Sequence, residues 1–439
     1  MNDNKSNLYH NKNFILLFLG GLVSRIGNGI HNIAILWFVL DLTGSATATG
    51  TLLVLTSLPG VILGPFSGVI ADRVNRKFLI VGMDVIRGLV VLGLSWFVST
   101  GTAGFLHLGV ATVLVSICNS FFNPAVSATL PNIVDDSNLQ QANSMEHISM
   151  NLTQIIGAAV GGILIATFGI AGVFMLNGIS YLISAFSELF IKIPPIKKVE
   201  KEDGQQEKTS FIEDIKFGFN FLYGHRSIFY LFVMAVFLNF LTNGLFGVGI
   251  PYIFKEVLEV SSSQFGYAQS LFFAGAIIGA LLLNFLPEIK NYYMTIFGGM
   301  TVESLLIICV GIPTLPFILH TQTTTTIYIW LITTLVSMGI INAIINVPFQ
   351  ILFQRLIPDN IRGRVFGLLG TFTMALSPVS MGLTGFLLDR VLPGYIFIIS
   401  GSLTLILVLA TSRVKVMKTI GQSAPEETQP LATETQVTP

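Results

Sequence analysis

Gly68-Val69-Ile70-Ala71-Asp72-Arg73-Val74-Asn75-Arg76-Lys77 is the stretch on which the reading of this chain turns. Long apolar runs flank it on both sides. One acid, Asp72, and three bases, Arg73, Arg76 and Lys77, crowd a short connection that follows Gly64 and Gly68. A short loop between two membrane passes can be basic for topological reasons alone. Here glycine, acid and bases come in a set order, which is more specific than charge. Working outward, the chain is 52% hydrophobic and only 10% charged. Soluble domains carry about 25% charged residues, so an ordinary soluble domain is excluded.

Apolar runs of about 20 residues, enough to cross a bilayer, recur along the whole chain. They predict twelve spans over 13–40, 46–71, 78–99, 104–130, 142–168, 171–192, 227–254, 263–286, 293–311, 325–350, 364–388 and 394–413. The 42 glycines suit close helix crossings, needed where lipid removes the hydrophobic drive between helices. Zero net charge implies no nucleic-acid or acidic partner. Cys118 and Cys309 both fall inside spans and read as packing residues without a disulfide framework.

Basic residues set the orientation. With the N-terminus inside, 19 of the 23 Lys and Arg lie on inner segments. Lys255 and Arg390 fall outside, and Arg25 and Arg87 lie within spans. Both termini are therefore expected in the cytoplasm. The first apolar run is too long for a cleavable signal and lacks a small-residue cleavage site. Asn151-Leu152-Thr153 sits within a span and is no glycosylation site.

The chain repeats itself at half its length. Asn28-Gly29 matches Asn243-Gly244 at 215 positions, and Ser45 and Gly50 match Ser261 and Gly266 at 216. Pro124 and Asp135 match Pro348 and Asp359 at 224, and Gly162 matches Gly382 at 220. Such order implies two parallel repeats. We expect an N-terminal six-helix bundle over 1–193, a cytoplasmic linker over 194–226, a C-terminal bundle over 227–413 and a disordered cytoplasmic tail over 414–439. In the linker Phe211, Ile215, Phe219 and Leu222 recur at helical spacing, as in an amphipathic helix at the membrane face.

The loop quoted above resembles the signature between helices 2 and 3 of the major facilitator superfamily, G-x-L-A-D-R-x-G-R-[RK]. Asn75 replaces its second glycine, and Asn tolerates a left-handed turn. Gly157-Ala158-Ala159-Val160-Gly161-Gly162 resembles the G-P-x-x-G-G element of drug-exporting members, with Ala158 for proline. Its counterpart Ser377-Pro378-Val379-Ser380-Met381-Gly382 keeps the proline. Gly157, Gly161, Gly162, Pro378 and Gly382 are accordingly expected at helix crossings, with the span-5 element facing the other half. Span 4 lacks R-x-x-Q-G-x-G-A, so the usual arginine route for proton coupling is in doubt. Leu130-Pro131-Asn132-Ile133-Val134, Leu139 to Asn143 and Ile357 to Gly367 narrow the resemblance to the drug:proton antiporter-3 group, with its macrolide and enterobactin exporters.

That resemblance, covering residues 13 to 413, implies an all-α membrane protein with the major facilitator fold: twelve transmembrane helices in two parallel six-helix repeats. It implies a monomeric secondary exporter of amphipathic, drug-like or macrolide-like compounds in exchange for protons. The partners are a small-molecule substrate, protons and the lipid bilayer, with no cofactor and no metal. Gly68, Asp72, Arg73, Arg76 and Lys77 would form a gating loop beside the start of helix 11. Helices 1, 4, 7 and 10 line the cavity in this fold. They carry Arg25, Asn28 and Asn32; Asn119 and Asn123; Asn239 and Asn243; and Asn342, Asn346 and Gln350. Each amide is either a substrate contact or an interhelical hydrogen bond worth about 0.6 kcal/mol.

Ionisable groups within spans are Arg25, His31, Asp84, Arg87, Glu146, Glu188 and Glu303. A coupling carboxylate needs burial and a nearby charge. Asp84 and Glu146, with Arg25, fit best; Glu303 and His31 come next. Asp84 and Arg87 would pair with each other or with the gating loop, and Glu146 has an interfacial alternative. Glu188 precedes Lys192 by four residues and is expected in a surface pair. A wealth of aromatic and thioether side chains, 35 Phe and 12 Met, suits a plastic cavity as well as a lipid-facing surface. Two rival readings are an exporter dedicated to one siderophore or peptide, and a non-transporting scaffold or receptor. Only Arg25 favours the former, and the intact loop opposes the latter. No Walker loop, metal cluster or nucleophile elbow points to an enzyme.

Overall fold

The computed structural model describes residues 8–193, 211–285 and 291–418, and among them all regular elements are helices. The side chains of Asp72, Asn151, Phe211, Ile215, Asp359, Asn360 and Arg364, the linker over 194–210 and the tail over 419–439 lie outside the described residues. Among the described residues, eleven helices are long and apolar enough to cross a membrane. In chain order the first four are α1 (Lys12–Thr43), α2 (Ala46–Arg73), α3 (Arg76–Ser99) and α4 (Phe105–Ile133). The helical stretch Leu139–Glu188 follows. At 50 residues it would extend about 75 Å, far beyond a bilayer core of about 30 Å.

Gly169 divides that stretch, with φ of +68°. Only glycine takes that backbone at little cost. Packing against α1 shows that the chain reverses there. Gly29 and Ile33 of α1 meet Gly157 and Gly161 in that order, so the first part runs parallel to α1. Gly20 meets Ser184 and Gly27 meets Ser180, so the second part runs antiparallel. The two parts are α5 and α6, and the break falls between the expected spans 142–168 and 171–192. The remaining passes are α7 (Arg226–Val257), α8 (Ser262–Phe285), α9 (Tyr292–Gly311), α10 (Thr324–Leu356), α11 (Asp359–Leu388) and α12 (Pro393–Ser412). Twelve passes result, as the sequence predicts.

Caps keep the connections short. Gly44 ends α1 with φ of +60°, and the Ser45 hydroxyl starts α2 by accepting from the Ala48 N–H at 3.2 Å. Asn75 corrects the expectation of a left-handed turn. Its φ is −59°, and its side chain accepts from the N–H groups of Lys77 and Phe78, so it caps α3. Asn replaces glycine here because it supplies an acceptor for the orphan donors of a helix start.

The linker helix Phe211–Gly224 packs Leu222 against Ile228, Ile357, Ile361 and Val365 at the near end of α7 and α11. Phe219 and Tyr223 stay exposed.

Among the described residues, the close packing between the halves, α1–α6 and α7–α12, lies at one end of the bundle. There α2 packs on α11 and α5 on α8. A Cβ on Gly50 would lie 2.5 Å from the Met381 carbonyl, and one on Gly266 would lie 2.6 Å from the Ala158 carbonyl. An apolar plug including Trp37, Leu52, Leu245, Phe254 and Phe265 fills this end, with the Trp37 and Phe265 rings stacked at 5.8 Å. At the other end, which carries Leu8 and Lys418, Gly64 and Gly68 of α2 and Gly367 and Gly370 of α11 face open space. The bundle is shut at the end remote from the described chain ends and open at the end that bears them.

Candidate transport pathway

Two adjoining cavities occupy the N-terminal half. One of about 220 Å³ is lined by Asn28, His31, Asn32, Thr56 and Asn119. Another of about 470 Å³ is lined by Arg25, Asn28, Arg87, Asn119, Asn123 and Glu146. Charges between and beside them are paired in a defined way. Arg87 on α3 forms an ion pair with Asp84 one turn earlier, both buried. Its other amino group donates to Asn119 Oδ1 at 2.6 Å, and its guanidinium lies 4.0 Å from the Phe122 ring and 4.6 Å from the Tyr181 ring. The Tyr181 hydroxyl donates to Asn28 Oδ1. Arg25 pairs with Glu146 and donates to Ser149 Oγ at 3.0 Å. Of the two pairings open to Asp84, the structure takes the local one with Arg87.

Glu188 overturns the expected surface pair with Lys192. It is buried to 1% exposure, accepts from Ser184 Oγ at 3.2 Å and leaves Oε2 with no hydrogen-bond partner. Arg87 and Arg25 act on it electrostatically. Lys192 is exposed, and its backbone N–H donates to Asn13 Oδ1 at 2.9 Å. The reason is helix approach. Gly20 lets α6 lie against α1, since a Cβ on Gly20 would lie 3.3 Å from both Ser184 and Ser187, and this approach turns Glu188 inward. Asn177, Ser180, Tyr181 and Ser184 precede it at helical spacing, a polar stripe legible in the sequence.

The C-terminal half holds a separate cavity of about 320 Å³, lined by Asn239, Glu303, Asn342, Asn346, Phe349 and Gln350 among others. Asn346 donates to the Asn342 side chain and carbonyl, both at 3.0 Å, and Asn239 donates to the Ala235 carbonyl at 2.8 Å. Asn243 lies outside this lining. The cavity-helix amides thus gather in one set per half rather than at one point. Glu303, on the peripheral α9, interacts with Asn342 and reaches the cavity.

Arg76 ties the signature loop to α4, donating to the Ala128 carbonyl at 2.8 Å and to the Ala71 carbonyl at 3.4 Å. Arg73 is exposed, Lys77 is half-buried and its backbone N–H is engaged by Asn75, and Gly68 faces open space. In the glycine element, a Cβ on Gly157 would lie 2.5 Å from Gly29 and one on Gly161 would meet Ile30 and Ile33, both within the half. Gly162 alone crosses to the other half, against Ser262. Pro378 sits inside α11, and a Cβ on Gly382 would make only ordinary contact with Val54, at 3.4 Å. The tight α2/α11 crossing is one turn further on, at Gly50 and Gly385.

A second charge feature closes the shut end. Asp389, just after α11, accepts from Ser45 Oγ at 2.7 Å, from the Ala46 N–H at 2.7 Å and from the Thr47 N–H at 3.0 Å. It caps α2 across the interface of the halves. Partial burial pushes its carboxyl up, but the bonds from Thr47, Ser45 and Ala46 outweigh this and hold it below the usual carboxylate range. Nearby Lys255 bonds Asp41 at 2.8 Å and lies 4.6 Å from the Trp37 ring, again joining the halves.

Comparison with known proteins gives the setting. A family model described as transmembrane secretion effector matches residues 7–435. The MFS-type transporter YfiS of Bacillus subtilis, itself uncharacterized, is 27% identical over 404 residues, covering 91% of this chain and 92% of that protein. Macrolide efflux protein A of Streptococcus pyogenes is 24% identical over 406 residues, covering 89% and 93%. The crystal structure of a bacterial homologue of the iron transporter ferroportin, in an inward-facing state, superposes with a TM-score of 0.69 at 17% identity, covering 93% of this chain and 100% of that one.

Proposed function

This chain belongs to the transmembrane secretion effector family of the major facilitator superfamily, a multi-pass membrane transporter and not an enzyme, and on that footing we propose that it exports amphipathic organic compounds, drug-like or macrolide-like, in exchange for protons. One observation carries the proton half of this reading. Among the described residues, three carboxylates, Asp84, Glu146 and Glu188, gather with two guanidiniums, Arg25 and Arg87, beside the N-terminal cavities. A charge left unbalanced in a membrane costs about 2.5–3.5 kcal/mol or more. One proton neutralises the surplus; Asp84 and Glu188 each have a spare buried oxygen, but Asp84 is ion-paired with Arg87, so Glu188 is the group that takes it. Asp84 and Glu146 hold their arginines in place and complete the coupling site. The similarity to macrolide efflux protein A supports the substrate class.

The bias of bases places both termini in the cytoplasm, so the open end of the bundle faces inward. The bundles 1–193 and 227–413 are the units that rock about the plugged end, joined by the linker over 194–226.

The test is transport in proteoliposomes under an imposed pH gradient. Wild-type export should follow the gradient and collapse with a protonophore. Glu188→Gln fills the cluster's surplus position with a neutral group, so exchange of substrate down its own gradient should persist while proton-driven accumulation is lost. Full proton-driven accumulation by Glu188→Gln, Asp84→Asn and Glu146→Gln would move coupling elsewhere. Wild-type export without any ion gradient would make the protein a facilitator.

A further inference from the structure

Glu303 is the sole Asp, Glu, Lys, Arg or His of α7–α12 more than two turns from a helix end. It opens onto the C-terminal cavity of about 320 Å³, whose lining holds amides and aromatic rings and no basic side chain. The volume matches the smaller of drug-sized pockets. In the N-terminal half, by contrast, the cavity-lining acid Glu146 is already joined to Arg25. A membrane carboxylate without a counter-charge is costly, and such groups mark ligand or ion paths.

We propose that the Glu303 carboxylate is the docking point for the positive centre of an amphipathic organic cation, held between Phe349 and Phe366 with Asn342 and Gln350 as polar neighbours. Aromatic faces attract a poorly hydrated organic cation, and a low-dielectric site strengthens its pairing with a carboxylate. A proton alone needs no cavity of this size, and the N-terminal cluster already supplies a proton site. A divalent metal needs six or more oxygen ligands with more than one negative charge, which a single carboxylate among neutral amides does not offer. The site narrows the substrate class within the exporter reading and rests on it.

The experiment uses the full chain purified in detergent, where no gradient exists, so its outcome is separate from that of proton coupling. Binding of tetraphenylphosphonium and of tetraphenylborate, equal in shape and opposite in charge, is measured by equilibrium dialysis. Wild type should prefer the phosphonium. Glu303→Gln should weaken phosphonium binding tenfold or more and remove the preference, while Glu303→Asp retains most of it and reports on folding. Equal phosphonium affinity in wild type and Glu303→Gln, or no phosphonium binding by wild type, overturns the proposal. If the preference behaves as expected but transport ignores the pH gradient, the cation site stands and the antiport reading falls.

Discussion

Asp389→Ala should open the shut end of the bundle. The carboxylate accepts three hydrogen bonds from the first turn of α2, at 2.7, 2.7 and 3.0 Å, and all three cross between the halves. Losing a helix cap costs about 0.5–2 kcal/mol, and losing an anion at a helix N-terminus costs about 0.3–1 kcal/mol more. Asp389 is exposed to solvent, so screening keeps the total near the lower half, about 1–2 kcal/mol. That shifts the ratio of outward-open to outward-closed molecules by about five- to thirtyfold. Leu53 lies under this seal, beside Gly247. In a background lacking Cys118 and Cys309, a cysteine at Leu53 should react with an impermeant maleimide from outside faster by that factor when Asp389 is Ala. Asp389→Asn, which can still accept, should show a smaller gain. The pH dependence follows from the depressed carboxyl. Its contribution is complete above the ordinary carboxylate value near 4 and is lost only as pH falls through the lower, latched value. The wild-type rate divided by the Asp389→Ala rate at the same pH, which cancels the thiol's own titration, should therefore be flat from pH 5 to 8. Unchanged labelling in Asp389→Ala would refute the latch.

Gly385→Val should block closure of the outer end, because its Cβ meets the Ala46 carbonyl of the other half; export should be lost with thermal stability largely kept. Gly157→Val, whose Cβ would lie 2.5 Å from Gly29 within one half, should instead lower the melting temperature, and the two effects are separated by pairing a thermal-shift assay with transport. Asp72→Asn acts at the opposite end of α2. If its carboxylate meets the start of α11 when the inner end closes, losing about 0.3–1 kcal/mol there favours the inward-open state two- to fivefold, read as faster labelling of inner-side cysteines. Unchanged labelling would leave the loop a topological anchor.

What could be read from the chain followed from local chemistry. Within lipid each helix satisfies its own backbone, so spans are written as apolar runs, and the twelve passes were countable before any fold was seen. The break at Gly169 showed as a gap between two such runs, and the signature loop and half-chain repeat identified the architecture. The polar stations on α1, α4 and α10 were visible because helical spacing alone puts Asn28 with Asn32, and Asn342 with Asn346, on one face. What escaped the sequence depends on how far one helix slides and turns against another. Lys192 stands one turn from Glu188 and looked like its partner, yet contact of α6 with Gly20 of α1 turned Glu188 toward arginines that are 101 and 163 positions away. Asp389 reaches α2 across 342 to 344 positions, and Glu303 reaches a cavity from a peripheral helix. Continuous apolar runs determined which residues cross the bilayer, because that free energy depends on each side chain and its solvent. Tertiary structure decided which charges are paired, because Coulomb energy depends on separations that only the packed bundle sets.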